Sequence, residues 1–409
     1  MSQMKPLFVL LLFAAALHAQ APGRQKRTVT DAEVRRVHKS ALLIDTHNDV
    51  TSATVAGLDI GQPNTNHMTD IPRMKKGGMG AQIFAVYVAA SYVEGNRSAN
   101  RTLQMIDTVR HDIIAQHPHD LVFAGTAAAI RRVHKQGKIA ALLGIEGGHA
   151  IEDSPRLLRD YYDLGVRYMT LTHTNSNHWA DSSGDGNKPN NGLSPLGKEI
   201  IAEMNRIGMI VDISHVSDKT FWDALEVSKA PIFASHSSCR AISPAPRNMT
   251  DEMIAALGKK HGVVQINFSC DFLNPEVYAA DEAVREKMIP IRDELIKKYS
   301  GDPQGLQRAM REARRAAGQA EGGKRATLAD VVKHINHVVQ IAGVDAAGLG
   351  SDFDGIDCAP EGLDSVDKWP NLTRALLEEG YTAAEIRKIY GGNTLRLMQD
   401  VESVAGLKM

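Results

Sequence analysis

The sequence predicts an α/β fold, a single (β/α)8 barrel of the TIM type with a helical insert before its last strand, and three observations predict it. Seven short apolar runs each lead to a residue able to bind a metal or carry a proton, in order Asp49, Glu146, His173, His215, His236, Asn267 and Asp352. Parallel barrel strands are buried on both faces, so they read as unbroken apolar runs, and their C-terminal ends open into one shared mouth. Helical stretches separate the runs, as βα repeats require. The 409 residues suit one such barrel as a single domain.

Taken in order, the first 21 residues stand apart from the fold. A lone Lys5, an apolar stretch from Pro6 to Leu17 and the small-x-small end Ala19-Gln20-Ala21 form a secretory signal pattern, too short to span a bilayer comfortably. The barrel domain is expected over 22–409, and the protein is expected to be exported, periplasmic or secreted. No stable membrane anchor is expected, because no Cys flanks the cleavage region and the C-terminal Val-Ala-Gly-Leu-Lys-Met lacks a hydrophobic tail. Thr30 is a good N-cap for a helix over Asp31–His38, with acidic residues in its first turn. Strands are expected near 42–47, 81–88, 139–145, 167–172, 209–214, 231–235, 262–267 and 346–351. Helical stretches such as 101–116 and 218–228 separate them, with a short one at about 156–164. The loop 174–194 is rich in Asn, Asp, Gly and Ser and is expected to border substrate. Between the last two strands, about 274–326 is dense in Glu, Lys, Arg and Ala and reads as an inserted helical pair. Its default reading is a solvated surface pair; a lid over the mouth and a homodimer contact are the alternatives.

Hydrophobic residues make up 43%, charged residues 23%, and the formal net charge is -1. This balance offers no electrostatic case for nucleic acid or an anionic membrane as partner, which leaves a small molecule as the default. Three cysteines, Cys239, Cys270 and Cys358, are too few for a disulfide scaffold at this length, so a large core must carry stability. The default is three inert thiols. If two pair, Cys239 and Cys270 are the candidates, each lying just past an expected strand.

The chemistry begins at His47 and Asp49, two residues apart at a strand end and so on the same face. A His and an Asp there are two of the ligands a catalytic zinc takes, although a capping Asp beside a satisfied His is the plainer reading of that pair alone. His215 and His236 close consecutive strands 21 residues apart, one α/β repeat, which sets them side by side as a metal pair. Glu146 precedes Gly147-Gly148-His149, where missing side chains let backbone approach, and its carboxylate is placed to bridge two metals. Such a pair shares a hydroxide and lowers its pKa, giving a nucleophile without Ser or Cys. A strand-end Glu that caps the next helix is the bland alternative, and His173 on this reading alone is equally a third ligand.

These residues resemble the membrane, or renal, dipeptidase family of binuclear zinc peptidases on a (β/α)8 barrel. The matching text is Ile44-Asp-Thr-His-Asn-Asp49, Gly144-Ile-Glu-Gly-Gly-His149, Tyr168-Met-Thr-Leu-Thr-His173, Val211-Asp-Ile-Ser-His-Val-Ser217, Ser235-His-Ser-Ser238, Pro246-Arg-Asn-Met249 and Gly350-Ser-Asp-Phe-Asp-Gly355. The resemblance runs in order from about Ile44 to Asp400. It implies that His47 and Asp49 hold one Zn2+, that His215 and His236 hold the other, and that Glu146 bridges the two ions. It implies further that His173 steadies the oxyanion, that Arg247 binds the substrate's C-terminal carboxylate, and that Asp352 meets the amine and passes a proton to the leaving nitrogen. Arg247 and Asp352 would then act as a ruler that only a free dipeptide spans, including one with a C-terminal D residue.

The chain departs from the animal enzymes of the family in the 274–326 insert, in the missing C-terminal anchor signal, and at Thr46, where Gly is common and a side chain would narrow the pocket. The expectation is a metal-dependent dipeptidase with two Zn2+ ions and a small dipeptide as partner. The alternatives are a related barrel amidohydrolase cleaving a non-peptide amide, lactone or N-acyl amino acid, and a metal-stabilised binding protein without turnover. Retention of every ligand and of Asp352 speaks against the last.

Overall fold

The computed structural model describes residues 24–319 and 324–407. The expected signal segment, 1–21, lies outside the described residues. Among the described residues nine strands form one parallel sheet: β1 (Leu43–Asn48), β2 (Met79–Tyr87), β3 (Leu121–Phe123), β4 (Ile139–Glu146), β5 (Val166–Thr170), β6 (Ile210–Asp212), β7 (Phe233–Ser237), β8 (Val263–Ile266) and β9 (Ala347–Leu349). Eight of them follow one another in the order β1-β2-β4-β5-β6-β7-β8-β9. The ring closes just beyond the strands, where the Asp352 amide donates to the His47 carbonyl at 3.1 Å and the Asp49 amide to the Phe353 carbonyl at 2.9 Å. The expected barrel is therefore present, nearly closed, with each expected strand within a few residues of its place.

Strand β3 escaped the sequence reading. Its three residues pair only with Ile139–Ala141, the first part of β4, whereas β5 pairs with β4 from Leu143 onward. The two share one edge of β4, and so short a run carries no alternation to read. The fifth and eighth expected strands, 209–214 and 346–351, shorten to Ile210–Asp212 and Ala347–Leu349. Each chain leaves the ladder to reach a left-handed residue, His215 with φ 68° and Asp352 with φ 62°.

The core is sized around particular side chains. An added Cβ at Gly144 would sit 2.0 Å from the Tyr168 ring, so the bare backbone of β4 is what lets that ring lie across it. Thr46 does not narrow the pocket. Its hydroxyl, buried inside the barrel, contacts the carbonyls of Ser235 at 2.7 Å and Leu349 at 3.1 Å, cross-bracing β1 to β7 and β9. A Cβ at Gly350 would meet the Ser235 carbonyl at 1.8 Å and that hydroxyl at 2.8 Å, so the glycine makes room for the brace.

The helix Asp31–Ser40 is capped as expected, with the Thr30 hydroxyl accepting from the Glu33 amide. The insert is a helical pair, Pro275–Lys298 and Pro303–Gln319. Its default reading as a purely solvated pair is corrected: Val277, Asp281, Arg285, Arg311 and Arg314 line the central cavity at the mouth. Two ion pairs between its helices and the barrel side fasten it there, Arg285 to Asp271 at 3.4 Å and Arg314 to Asp357 at 3.7 Å. The cysteine expectation is corrected too. Cys270 and Cys358 form a disulfide and Cys239 is the buried free thiol, because Cys358 follows the Asp352 turn back across the helix Cys270–Leu273. Sequence distance hid that return, 88 residues long. Among the described residues no helix is long and apolar enough to cross a membrane.

Candidate active site and metal centre

Every side chain named from the sequence reaches one place. Asp49, Glu146, His173, His215, Arg247 and Asp352 line a cavity of about 360 Å³ at the C-terminal face. His47 and His236, fully buried, stand behind Glu146. Glu146 ends β4 and is the hub: the Nε2 atoms of His215, His236, His47 and His173 lie 3.0, 3.4, 3.7 and 3.7 Å from its carboxylate oxygens. His47 Nε2 is also 3.2 Å from Asp49 Oδ2, and the Nε2 atoms of His215 and His236 are 3.0 Å apart.

The donors form one continuous centre. Ligand atoms of His47, Glu146 and His236 lie within 4.8 Å of one another, as do those of Glu146, His173 and His215, and those of His47, Asp49 and Asp352. Glu146 and His47 each belong to two of these groups. Mixed nitrogen and carboxylate donors suit zinc and several other divalent ions.

Surrounding groups aim the imidazoles. His47 Nδ1 is 2.7 Å from the Tyr168 hydroxyl, and His236 Nδ1 is 2.7 Å from the Ser235 hydroxyl. Ser235 donates to Asp212 Oδ2 at 2.6 Å, and the Thr170 hydroxyl donates to the same oxygen at 2.5 Å. With both Nδ1 atoms engaged, both rings present Nε2 inward, the arrangement that metal-binding histidines take from their outer partners. Among the described residues His47 Nε2, buried and 3.2 Å from Asp49 Oδ2, makes no well-aligned hydrogen bond, and His215 Nδ1 has no hydrogen-bond partner. An orphaned imidazole nitrogen aimed at two carboxylates is costly unless a cation takes that space, so the residues fit the metal that the donor set implies.

Charge states agree with that fit. Burial lowers the pKa of His215 and His236, which keeps their lone pairs free. Burial opposes ionisation of Glu146, yet His173 and His47 outweigh it and hold the carboxylate well below its usual range. His47 runs the other way: burial would lower it, but Tyr168, Glu146 and Asp49 hold it well above. A proton on Nε2 and a metal ion answer the same two carboxylates, so they compete for one position.

Asp352 and Arg247 flank the mouth. Burial pushes the Asp352 carboxyl well above its usual range, against the opposing pull of His47. Asn267 donates to Asp352 Oδ2 at 2.8 Å and sets its orientation. The Arg247 guanidinium donates to the His236 carbonyl at 3.2 Å and lies 5.4 Å from the Phe272 ring centroid. His173 is 4.9 Å, centroid to centroid, from Tyr87. Of the loop 174–194, only Thr174 lines this cavity.

Sequence reasoning missed the positioning residues Tyr168, Ser235 and Asp212. A local signal existed, since Ser235 directly precedes His236 and Asp212 lies three residues before His215. Tyr168 had none, because it meets His47 across the barrel.

Comparison with known proteins agrees in family and in fold. The family model described as membrane dipeptidase (peptidase family M19) matches residues 31–408. An uncharacterised dipeptidase of Schizosaccharomyces pombe is 34% identical over 403 residues, covering 93% of this chain and 86% of that protein. Dipeptidase aclJ of Aspergillus oryzae is 36% identical over 392 residues, covering 90% and 82%. Among solved structures, a probable dipeptidase, PvdM, from Pseudomonas aeruginosa superposes with a TM-score of 0.78 at 24% identity, over 91% of this chain and 98% of that one. A metallopeptidase from Rhodobacter sphaeroides, liganded with a phosphinate mimic of L-Ala-D-Ala, gives 0.68 at 23% identity over 88% and 99%.

Proposed function

Because the chain belongs to the membrane dipeptidase family, peptidase family M19, we propose that it hydrolyses the peptide bond of free dipeptides at a two-zinc centre. The observation that carries this reading is the Glu146 carboxylate, set 3.0 to 3.7 Å from four imidazole nitrogens. His47 and Asp49 would hold one ion, His215 and His236 the other, with Glu146 between them. Bound there, two divalent ions supply Lewis acidity at the scissile carbonyl and a water of lowered pKa, so hydrolysis needs no Ser or Cys nucleophile.

The remaining steps belong to side chains of this chain. Arg247 offers a planar fork to the substrate's C-terminal carboxylate, already oriented by the His236 carbonyl. His173, at the cavity edge, donates an N–H to the oxyanion as the carbonyl becomes tetrahedral. Asp352 faces the amine end, and its burial-raised pKa lets it carry the proton that the leaving nitrogen needs. Recognition groups at the two ends of a fixed slot, Arg247 and Asp352, select for length. The mimic bound by the Rhodobacter sphaeroides relative supports including substrates with a C-terminal D residue.

The test is turnover of dipeptides, including L-D pairs, against N-acetylated and C-amidated controls, by purified protein with and without chelation. Chelator-sensitive cleavage of free dipeptides is expected. Cleavage of blocked substrates alone would replace this reading with that of a broader amidohydrolase.

A further inference from the structure

We propose that a second cavity beside the catalytic one is a cationic subsite for an acidic side chain on the N-terminal residue of the substrate, a proposal that rests on the dipeptidase reading. This cavity measures about 200 Å³ and shares Asp49, Ser52, Arg311 and Asp354 with the central one, so the two adjoin. Ala53 and Ala56 on its wall leave it open. Arg101, Arg308 and Arg311 supply its charge.

Asp49 and Asp354 share the wall, so the three arginines exceed the carboxylates by one charge. Arg308 and Arg311 lie three residues apart on the helix Pro303–Gln319 and so share a face. Among the described residues neither has an ion-pair partner. Their neighbours in the insert do: Arg285 pairs with Asp281 at 2.8 Å, and Arg314 pairs with Asp281 at 2.5 Å. Among the described residues the Arg101 side chain engages only the Gln104 side-chain oxygen at 3.3 Å and the face of Tyr92. The carboxylates of this cavity have other commitments. Asp354 Oδ1 accepts from the Met68 amide at 2.8 Å and lies 3.3 Å from His67 Nδ1, although its Oδ2 has no hydrogen-bond partner among the described residues, while Asp49 belongs to the donor centre. Three arginines against two carboxylates that have other partners leave a net positive wall, complementary to an anion brought by the substrate.

Position decides which residue of the substrate enters. The second cavity lies on the Asp49 and Asp354 side, next to the Asp352 turn that reads the amine. Arg247, which reads the carboxylate end, lines only the central cavity of the two. The side chain that reaches Arg308 and Arg311 is therefore that of the amine-bearing residue. Both arginines stand on the insert, so the helical pair becomes a specificity element.

The experiment compares kcat/KM for Glu-Ala, Ala-Ala, Ala-Glu and Lys-Ala across metal-loaded wild type, the double variant Arg308→Ala/Arg311→Ala, and Arg311→Glu. Thermal unfolding of each variant checks folding. Wild type is expected to prefer Glu-Ala over Ala-Ala by about tenfold at low salt, as two partly solvated charge pairs allow. That preference should shrink as salt rises, disappear in the double variant, and give way to Lys-Ala in Arg311→Glu. Preference for Ala-Glu over Glu-Ala, or a Glu-Ala preference that survives in the double variant, overturns the subsite. Cleavage of Ala-Ala with no gain for Glu-Ala also overturns it and leaves the dipeptidase reading intact. No cleavage of any of the four overturns that reading and the subsite with it.

Discussion

The Tyr168 hydroxyl lies 2.7 Å from His47 Nδ1, and this contact leaves Nε2 as the nitrogen that faces Asp49 and Glu146. A residue of β5 thus sets the direction of a candidate ligand on β1. Tyr168→Phe keeps the ring in the space Gly144 provides and removes only the hydrogen bond. Metal affinity should fall about tenfold or more, as it does when outer-shell partners are lost. Competition with a chromogenic chelator measures it, and unchanged affinity would show that His47 is held by packing alone.

Arg247→Ala should act mainly on binding. KM for free dipeptides should rise by at least about tenfold, the loss of a charge-assisted pair, with a smaller change in kcat. C-amidated dipeptides, which lack the anion, should be nearly unaffected. A variant that still favoured free carboxylates over amides would remove the ruler.

The disulfide joins the helix Cys270–Leu273 to the segment that follows Asp352, and both cysteines line the central cavity. A disulfide typically stabilises a protein by about 2–4 kcal/mol. Cys358→Ser should lower unfolding free energy by that order in denaturant titrations. Thiol counting should find no reactive thiol in the native protein and one after unfolding without reductant, since Cys239 is buried and free.

His334 gives stability a pH dependence remote from the metal centre. The Cys239 amide donates to its Nδ1 at 3.0 Å, so its Nε2–H donates to the Leu273 carbonyl, also at 3.0 Å. Burial lowers its pKa to about 4, from an ordinary value of about 6.5. The unfolded chain therefore binds the proton more readily. Its stabilisation is complete above about pH 6.5 and is lost as pH falls toward about 4, with a slope on the order of 1 kcal/mol per pH unit. Denaturation from pH 8 to 4 should show a shallower decline in His334→Gln than in wild type. His149, lowered to about 4 by burial, titrates over the same window, so the comparison is between variants and not against a flat baseline.

What the sequence by itself determined is the barrel and its ring of chemically able residues. Buried parallel strands must be apolar, and strand tips must face the mouth, so Asp49, Glu146, His215 and His236 announce themselves by position. The helical pair was legible for the same reason, as charge and alanine density need no partner to be read. Tertiary structure decided the rest, because it depends on residues distant in sequence. Tyr168 orients His47 from another strand, Cys358 returns to Cys270 rather than leaving that bond to Cys239, and Thr46 braces three strands instead of narrowing a pocket. His215 and Asp352 each take a left-handed backbone where the chain leaves its strand, a conformation that local propensity disfavours and the surrounding structure has to hold. The place of the insert over the cavity is likewise a tertiary outcome, marked by its ion pairs to Asp271 and Asp357.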